Sequence, residues 1–308
     1  MPQLSIIIPC YYNELNIPTT SEELIENEQN FPEGTTFQYV MVDDGSKDNT
    51  WEELQKFKAK YPEKVKLIKL SGNFGSYNAI LAGMQHATGD CNVIISADLQ
   101  DPISLMPKMF AHWQKGIQLV MGNREDREDP FLSKVFANTF QFLIRKYALP
   151  NLPKGGFDYV LFDKKLKEEV LAMDEKNSNS LYLFIWLKYE YITIPYKRLE
   201  RKAGKSRWTM KKKIKLFVDS FVAFSFAPIR IITVSGFILG AVAILYALFI
   251  LYNRFVGNIA VEGWTAMMLV FLFVSAFQMV AIGILGEYLW RTLDASRKRP
   301  NFVVDKVE

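Results

Sequence analysis

Between Ile94 and Pro102 the chain reads Ile-Ile-Ser-Ala-Asp-Leu-Gln-Asp-Pro, an apolar stretch that stops abruptly in small and acidic residues. A run such as Val93–Ile95 followed by acids has the form of a buried parallel strand whose carboxyl end opens on a crevice. Open α/β sheets bind ligands there. Asp98, with Gln100 and Asp101 close behind, offers hard oxygen donors at that edge. Such donors suit Mg²⁺ or Mn²⁺, which take one or two protein carboxylates, keep several waters and bind substrate phosphates. Asp98 and Gln100 are therefore the expected metal ligands. The plainer alternative is an Asp-Pro turn after a strand.

A second acidic pair, Asp43-Asp44, closes the run Phe37–Val42. Its carboxylates can accept hydrogen bonds from ribose hydroxyls or a base N–H. Asp48 and Asn49 read instead as the N-cap region of the helix that Trp51 enters. Glycine cradles for phosphate are missing from the expected places. Pro9-Cys-Tyr-Tyr-Asn-Glu14 stands where Gly-x-Gly-x-x-Gly would follow the first strand, and no Gly-x-x-x-x-Gly-Lys-Ser/Thr occurs. A nucleotide would have to be held by carboxylates and a metal. The later run Gly122-Asn-Arg-Glu-Asp-Arg-Glu-Asp129 reads from its mixed charges as a solvated loop. His86 and His112 lack Cys or Asp partners at metal spacing and read as structural.

The elements that must position these residues alternate. Short apolar runs at Leu4–Ile8, Phe37–Val42, Val65–Leu70, Cys91–Ile95 and Ile117–Met121 predict strands, the first closed by Pro9 and the last by Gly122. Helical patterns at Thr20–Asn30, Thr50–Tyr61, Tyr77–Ala87, Leu105–Lys115 and Ser133–Tyr147 lie between and after them. That alternation predicts an α/β, Rossmann-like, mostly parallel sheet. The acidic and glycine punctuation falls at the carboxyl ends of successive strands, so these loops converge on one edge.

The strings Asp43-Asp-Gly-Ser-Lys-Asp-Asn-Thr50, Asn73-Phe-Gly75, Ala87-Thr-Gly-Asp90 and Ser96-Ala-Asp-Leu-Gln-Asp-Pro102 together resemble the inverting family 2 glycosyltransferases of GT-A fold. More narrowly, the chain resembles the polyisoprenyl-phosphate glycosyltransferases, the group of bactoprenol glucosyltransferase and dolichyl-phosphate mannose synthase. The likeness runs nearly end to end and includes the tail Gly286-Glu-Tyr-Leu-Trp-Arg291. It implies transfer of one sugar from a nucleotide sugar to a lipid phosphate, with Pro9, Tyr11, Glu14, Asp43 and Asp44 on the nucleotide sugar. Arginines at Arg124 and Arg127 would lie near the transferring phosphates, where guanidinium forks bind phosphate oxygens in pairs. The resemblance also makes Asp158 the candidate catalytic base. A lipid phosphate with a second pKa of about 6 is already anionic at neutral pH, so Asp158 either removes a proton or orients the acceptor. The pattern Arg-x-x-Arg-x-Ala-Gly-x-Ser, matched by Arg198, Arg201, Ala203, Gly204 and Ser206, would hold the carrier phosphate. Two departures stand out. Ser96 replaces the first acid of the usual Asp-x-Asp, and Tyr11-Tyr12 adds one residue to the usual Pro-x-Tyr-Asn-Glu.

The chain has 308 residues and a net charge of +4, with acid concentrated in the first third and base after residue 196. Its two cysteines, Cys10 and Cys91, fall in or beside strands and read as core residues in a reducing compartment. No signal peptide is expected at the start, which leads directly into a strand. The basic run from Tyr196 to Lys215 passes into Ile214, Phe217, Val218, Phe221 and Phe224, an amphipathic spacing that suits a membrane interface better than nucleic acid. Pro228 is expected to end that helix. Ile231–Tyr252 and Trp264–Gly286 then give two uncharged stretches long enough to span a hydrocarbon core of about 30 Å. Aromatic residues flank them, and basic residues favour both outer ends over the short loop, so the positive-inside rule places both ends in the cytosol. Gly236, Gly240, Gly283 and Gly286 permit close helix approach within a hairpin or between subunits, so a homo-oligomer is compatible with the sequence.

The expected organisation is a cytosolic GT-A domain over 1–208, a juxtamembrane helix over 209–228, two membrane helices within 229–290 (about 231–252 and 264–288) and a cytosolic tail over 291–308. The expected function is inverting, metal-dependent transfer of one hexose, glucose or N-acetylglucosamine, from a UDP-linked sugar to polyisoprenyl phosphate at the plasma membrane. A flippase or second transferase would then use the product. Ser96 motivates a second reading, an inactive nucleotide-sugar-binding module on a membrane anchor. A processive synthase is disfavoured by the two spans and by the lack of a Gln-x-x-Arg-Trp motif.

Overall fold

The computed structural model describes residues 1–124, 131–173, 175, 178–199, 210–256 and 263–308. The chain divides into two compact units, residues 1–220 with 299–308, and residues 221–298.

The first unit is built on eight strands: β1 (Gln3–Cys10), β2 (Thr36–Asp43), β3 (Val65–Leu70), β4 (Cys91–Ile94), β5 (Leu119–Arg124), β6 (Val160–Asp163), β7 (Ile192–Tyr196) and β8 (Val304–Val307). They form one sheet in the order β7-β5-β6-β4-β1-β2-β3-β8. Helices α1 (Ile17–Asn27), α2 (Thr50–Lys60), α3 (Ser76–His86), α4 (Met106–Gln114), α5 (Phe131–Tyr147), α6 (Lys164–Ala172) and α7 (Ser180–Trp186) connect them. Ile6, Ile7 and Ile8 are all buried, as are Val40, Met41 and Val42. Consecutive burial of this kind means that both faces are covered, as in doubly wound parallel sheets.

β1 to β5 and β7 run in one direction, while β6 and β8 run against their neighbours. The reversed β6 fixes the site. Its amino end lies at the edge where β4 and β5 have their carboxyl ends, so Asp158, just ahead of β6, arrives beside Arg124, the last residue of β5.

Three local expectations need correcting. Gly122 does not stop its strand; β5 continues to Arg124. A Cβ at Gly122 would sit 2.9 Å from Tyr196 Cε1 and 3.2 Å from Tyr159 Cβ, so the glycine lets β7 and its tyrosine close on the strand. Pro9 likewise lies inside β1, opposite Val42. Pro228 does not end a helix. The helix α8 (Met210–Phe224) stops earlier, and Pro228 falls in the first turn of α9 (Ala227–Val256), where a missing N–H costs nothing.

The sequence gives no hint of β8. Its backbone pairs antiparallel with β3, Leu67 and Glu308 exchanging N–H···O bonds of 2.8 and 2.9 Å. In the second unit, α9 and α10 (Trp264–Ser296) contain apolar stretches, Ala227–Asn253 and Ala266–Ser296, long enough to cross a membrane; none of their most apolar stretch is buried. A helix apolar all round and exposed requires an apolar surrounding.

Gly122→Val is expected to destabilise the first unit by about 1–3 kcal/mol through overpacking against Tyr196, read as a lower urea midpoint with an unchanged slope.

Candidate active site

The residues expected to meet a nucleotide sugar come together at the carboxyl ends of β1 and β2. Pro9 is partly buried in the β1 ladder. The added residue in the following turn is absorbed by Tyr12, whose backbone is left-handed (φ 56°), and the Tyr11 and Tyr12 rings meet edge to face at 4.6 Å. The turn is tied to the next loop at three points. Tyr12 N–H donates to Ser46 Oγ (3.0 Å), Asn13 N–H donates to Thr50 Oγ1 (2.8 Å), and Glu14 Oε2 accepts from Asn49 N–H (3.0 Å). Asp48 Oδ1 caps α2 through Thr50 N–H and Oγ1.

The two adjacent acids do different things. Asp44 is buried, and its oxygens accept the N–H groups of Phe74 (2.7 Å) and Gly75 (2.9 Å), the turn that opens α3. Gly45 permits this closure. It has φ 69°, and a Cβ there would lie 2.5 Å from the Gly72 carbonyl carbon. Asp44 therefore braces two loops. Asp43 is fully buried, accepts Ser46 N–H at one oxygen (3.0 Å), and leaves Oδ2 with no partner among the described residues. Burial raises its pKa against the opposing hydrogen bonds from Ser46 and the charge of Lys69. An orphaned, desolvated acceptor is what a ligand donor group would satisfy.

At the other end, Ala97 and Leu99 are buried while Asp98 is partly exposed between them. Leu99 is left-handed (φ 52°), and its buried side chain anchors the turn that presents Asp98 and Gln100. Gln100 N–H leans on Asp98 Oδ1 at 3.4 Å. Gln100 Oε1 accepts from Arg198 Nη2 at 2.6 Å, so that oxygen faces a guanidinium, and Leu199 N–H donates to Gln100 O at 2.8 Å. The expected metal pair is thus divided in this arrangement, with Asp98 as the carboxylate on the loop. Among the described residues no three His, Cys, Asp or Glu groups gather around one point. A dedicated protein cage does not fit; a hydrated cation carried on substrate phosphates fits Asp98.

Arg124 joins the loop that follows β4 to the approach to β6 and the end of β7. Its Nη2 donates to Asp158 Oδ2 at 2.6 Å and lies 3.6 Å from Asp101 Oδ1, while Nε donates to the Tyr196 hydroxyl at 3.2 Å. Tyr196 donates in turn to Asp101 Oδ1 (2.5 Å), and Ser96 Oγ donates to Asp101 Oδ2 (3.0 Å). Burial alone would pull the Arg124 guanidinium down, but Asp158 and Asp101 outweigh it and hold its pKa above the ordinary value. Burial, and then Asp101, raise Tyr196, so it stays a protonated donor. Arg127, Arg201 and Ser206 lie outside the described residues. Neither Tyr196 nor the partnership of Asp101 with Arg124 was legible as function. In the sequence Tyr196 reads only as the start of the basic run that follows it.

The model of "Glycosyl transferase family 2" matches residues 5–171, more than half of the chain. The chain belongs to glycosyl transferase family 2. The family 2 chain is 32% identical over 305 residues to the uncharacterized glycosyltransferase YkcC of Bacillus subtilis (strain 168), covering 99% of this chain and 94% of that one. It is 31% identical over 307 residues to a prophage bactoprenol glucosyl transferase homolog of Escherichia coli (strain K12), covering 99% of each. It is also 29% identical over 303 residues to the bactoprenol glucosyl transferase of Shigella phage SfX, covering 98% of each. Family membership makes the protein a glycosyltransferase with the GT-A sheet expected from its sequence.

Because Asp43 has a raised pKa in the folded state, its ionisation opposes folding. The penalty is absent below the unfolded carboxyl value of about 4 and builds as pH rises through the raised value. Asp43→Asn is expected to be more stable than the parent at pH 7.5, with the advantage gone in acid, and donor binding is expected to fall if the residue meets the nucleotide sugar as the resemblance implies. Chemical unfolding at two pH values and donor titration check this.

Proposed function

We propose that this family 2 enzyme transfers a single hexose from a UDP-linked sugar to a polyisoprenyl phosphate, with inversion, at the cytosolic face of a membrane. The observation that carries the reading is the Arg124 cluster. One guanidinium, its side chain 10% exposed, bonds Asp158 on the acceptor side and pairs with Asp101 on the loop that bears Asp98. The bactoprenol glucosyl transferases among the relatives support a lipid phosphate as acceptor and glucose as the first sugar to test.

In this reading Pro9, Tyr11, Glu14 and the open oxygen of Asp43 line the nucleotide side, and Asp44 holds their loops. Arg124 and Arg198, with Arg127, Arg201 and Ser206, receive the acceptor phosphate. Arg124 neutralises its charge, and Asp158 orients it toward the anomeric carbon. Asp98 would hold Mg²⁺ or Mn²⁺ together with the diphosphate, and the cation, when bound, supplies charge stabilisation to the leaving group. The domain plan is a catalytic unit over 1–208 that residues 299–308 rejoin as β8, an interfacial helix over 209–228 and a membrane hairpin within 229–290, so the expected separate tail over 291–308 is replaced by the end of α10 and the last strand of the sheet. An even number of crossings is supported by connectivity. The chain leaves the first unit before α9 and rejoins its sheet as β8 after α10, so both ends of the hairpin belong on one side of any membrane it crosses.

A panel of nucleotide sugars offered with undecaprenyl phosphate, read by mass spectrometry of the lipid, should yield one hexosyl phospholipid. No lipid product from any donor would reject the assignment. Asp98→Asn and EDTA are each expected to lower transfer by at least about 100-fold, the latter reversed by added Mg²⁺ or Mn²⁺. Asp158→Asn should lose activity that high pH does not restore; recovery at high pH would make Asp158 a proton acceptor instead.

A further inference from the structure

The two carboxylates on Arg124 are unequal. Asp101 is buried, its side chain 2% exposed, and both its oxygens accept hydroxyl donors, Tyr196 at one and Ser96 at the other. Asp158 is 54% exposed and approaches from the open side. A carboxylate has no proton to give, so Tyr196 must donate to Asp101, which leaves its own lone pair to accept Arg124 Nε–H. The donors run one way, from guanidinium to phenol to carboxylate. Releasing a buried partner strands a desolvated charge, whereas an exposed pair exchanges readily.

We propose that Asp101 is a positioning residue: with the Tyr196 hydroxyl it anchors one side of the Arg124 guanidinium throughout the cycle, leaving Asp158 as the partner that yields when the acceptor phosphate arrives. The inference rests on the acceptor-side reading of Arg124 above. Ser96 contributes a hydroxyl where the usual motif has an acid, and so keeps a second negative charge off Asp101 while holding its outer oxygen. Released from Arg124, Asp158 is free to turn to the acceptor or sugar, and no covalent step is added.

The test uses the full-length protein in lipid nanodiscs, with Asp101→Asn, Tyr196→Phe and Asp101→Glu. Asp101→Asn is expected to raise KM for undecaprenyl phosphate by about tenfold or more, because it removes a charge-assisted contact, while KM for the nucleotide sugar stays within about twofold. Tyr196→Phe should move the same constant by about threefold, and Asp101→Glu should recover part of the loss. In ¹⁵N-arginine spectra the Arg124 Nε–H signal, assigned by its loss in Arg124→Lys, should be slow to exchange in the parent and fast in Asp101→Asn and Tyr196→Phe. Equal rises in both KM values, or an unchanged Nε–H signal, would overturn the proposal. If Asp101→Asn does not fold, Tyr196→Phe carries both readings. If the parent transfers nothing to lipid phosphate, the functional assignment fails while the exchange comparison decides the anchor.

Discussion

A guanidinium taken out of water must be matched by charge on more than one side, and Arg124 is placed where the fold can supply that match. β5 ends at the arginine, the reversed β6 begins just after Asp158, β7 ends at Tyr196, and the turn after β4 delivers Asp101. Four segments far apart in the chain meet on one side chain. The antiparallel insertion in an otherwise parallel sheet is what makes this possible. A parallel β6 would carry Asp158 to the opposite edge.

The loops at the carboxyl ends of β1 and β2 are held by different means. There the backbone is the ligand of the carboxylates. Asp44 takes two N–H groups from the turn before α3, Glu14 takes one from the start of α2, and Ser46 and Thr50 hold the Tyr11–Glu14 turn. Among the described residues of this rim, Asp43 Oδ2 is fully buried and has no hydrogen-bond partner.

Much of this was legible beforehand, and the reasons for the rest are physical. The central strands announce themselves because burial on both faces requires unbroken apolar runs, and their acidic terminators mark the ligand edge. β6 and β7 are short and lie beyond the regular alternation, so their direction and pairing come only from tertiary context. Gly122 reads as a stop from local propensity, yet it serves close packing against Tyr196. The adjacent acids Asp43 and Asp44 look equivalent in the chain, whereas three-dimensional contacts divide them into an open acceptor and a brace. Gln100 reads as a metal ligand from its oxygen, and the approach of Arg198 from nearly a hundred residues away is invisible at that level.

The last strand has a consequence for biogenesis. β8 lies downstream of both apolar helices, yet it covers the outer edge of β3, with flanking Glu308 and Val303 bonded to the backbone of Leu67 and Ser71. Until α9 and α10 have left the ribosome, that edge is bare, and bare strand edges recruit other strands. Closure of the catalytic sheet is thereby timed to follow synthesis of the apolar pair, so a nascent chain stalled between them would carry an open, adhesive flank.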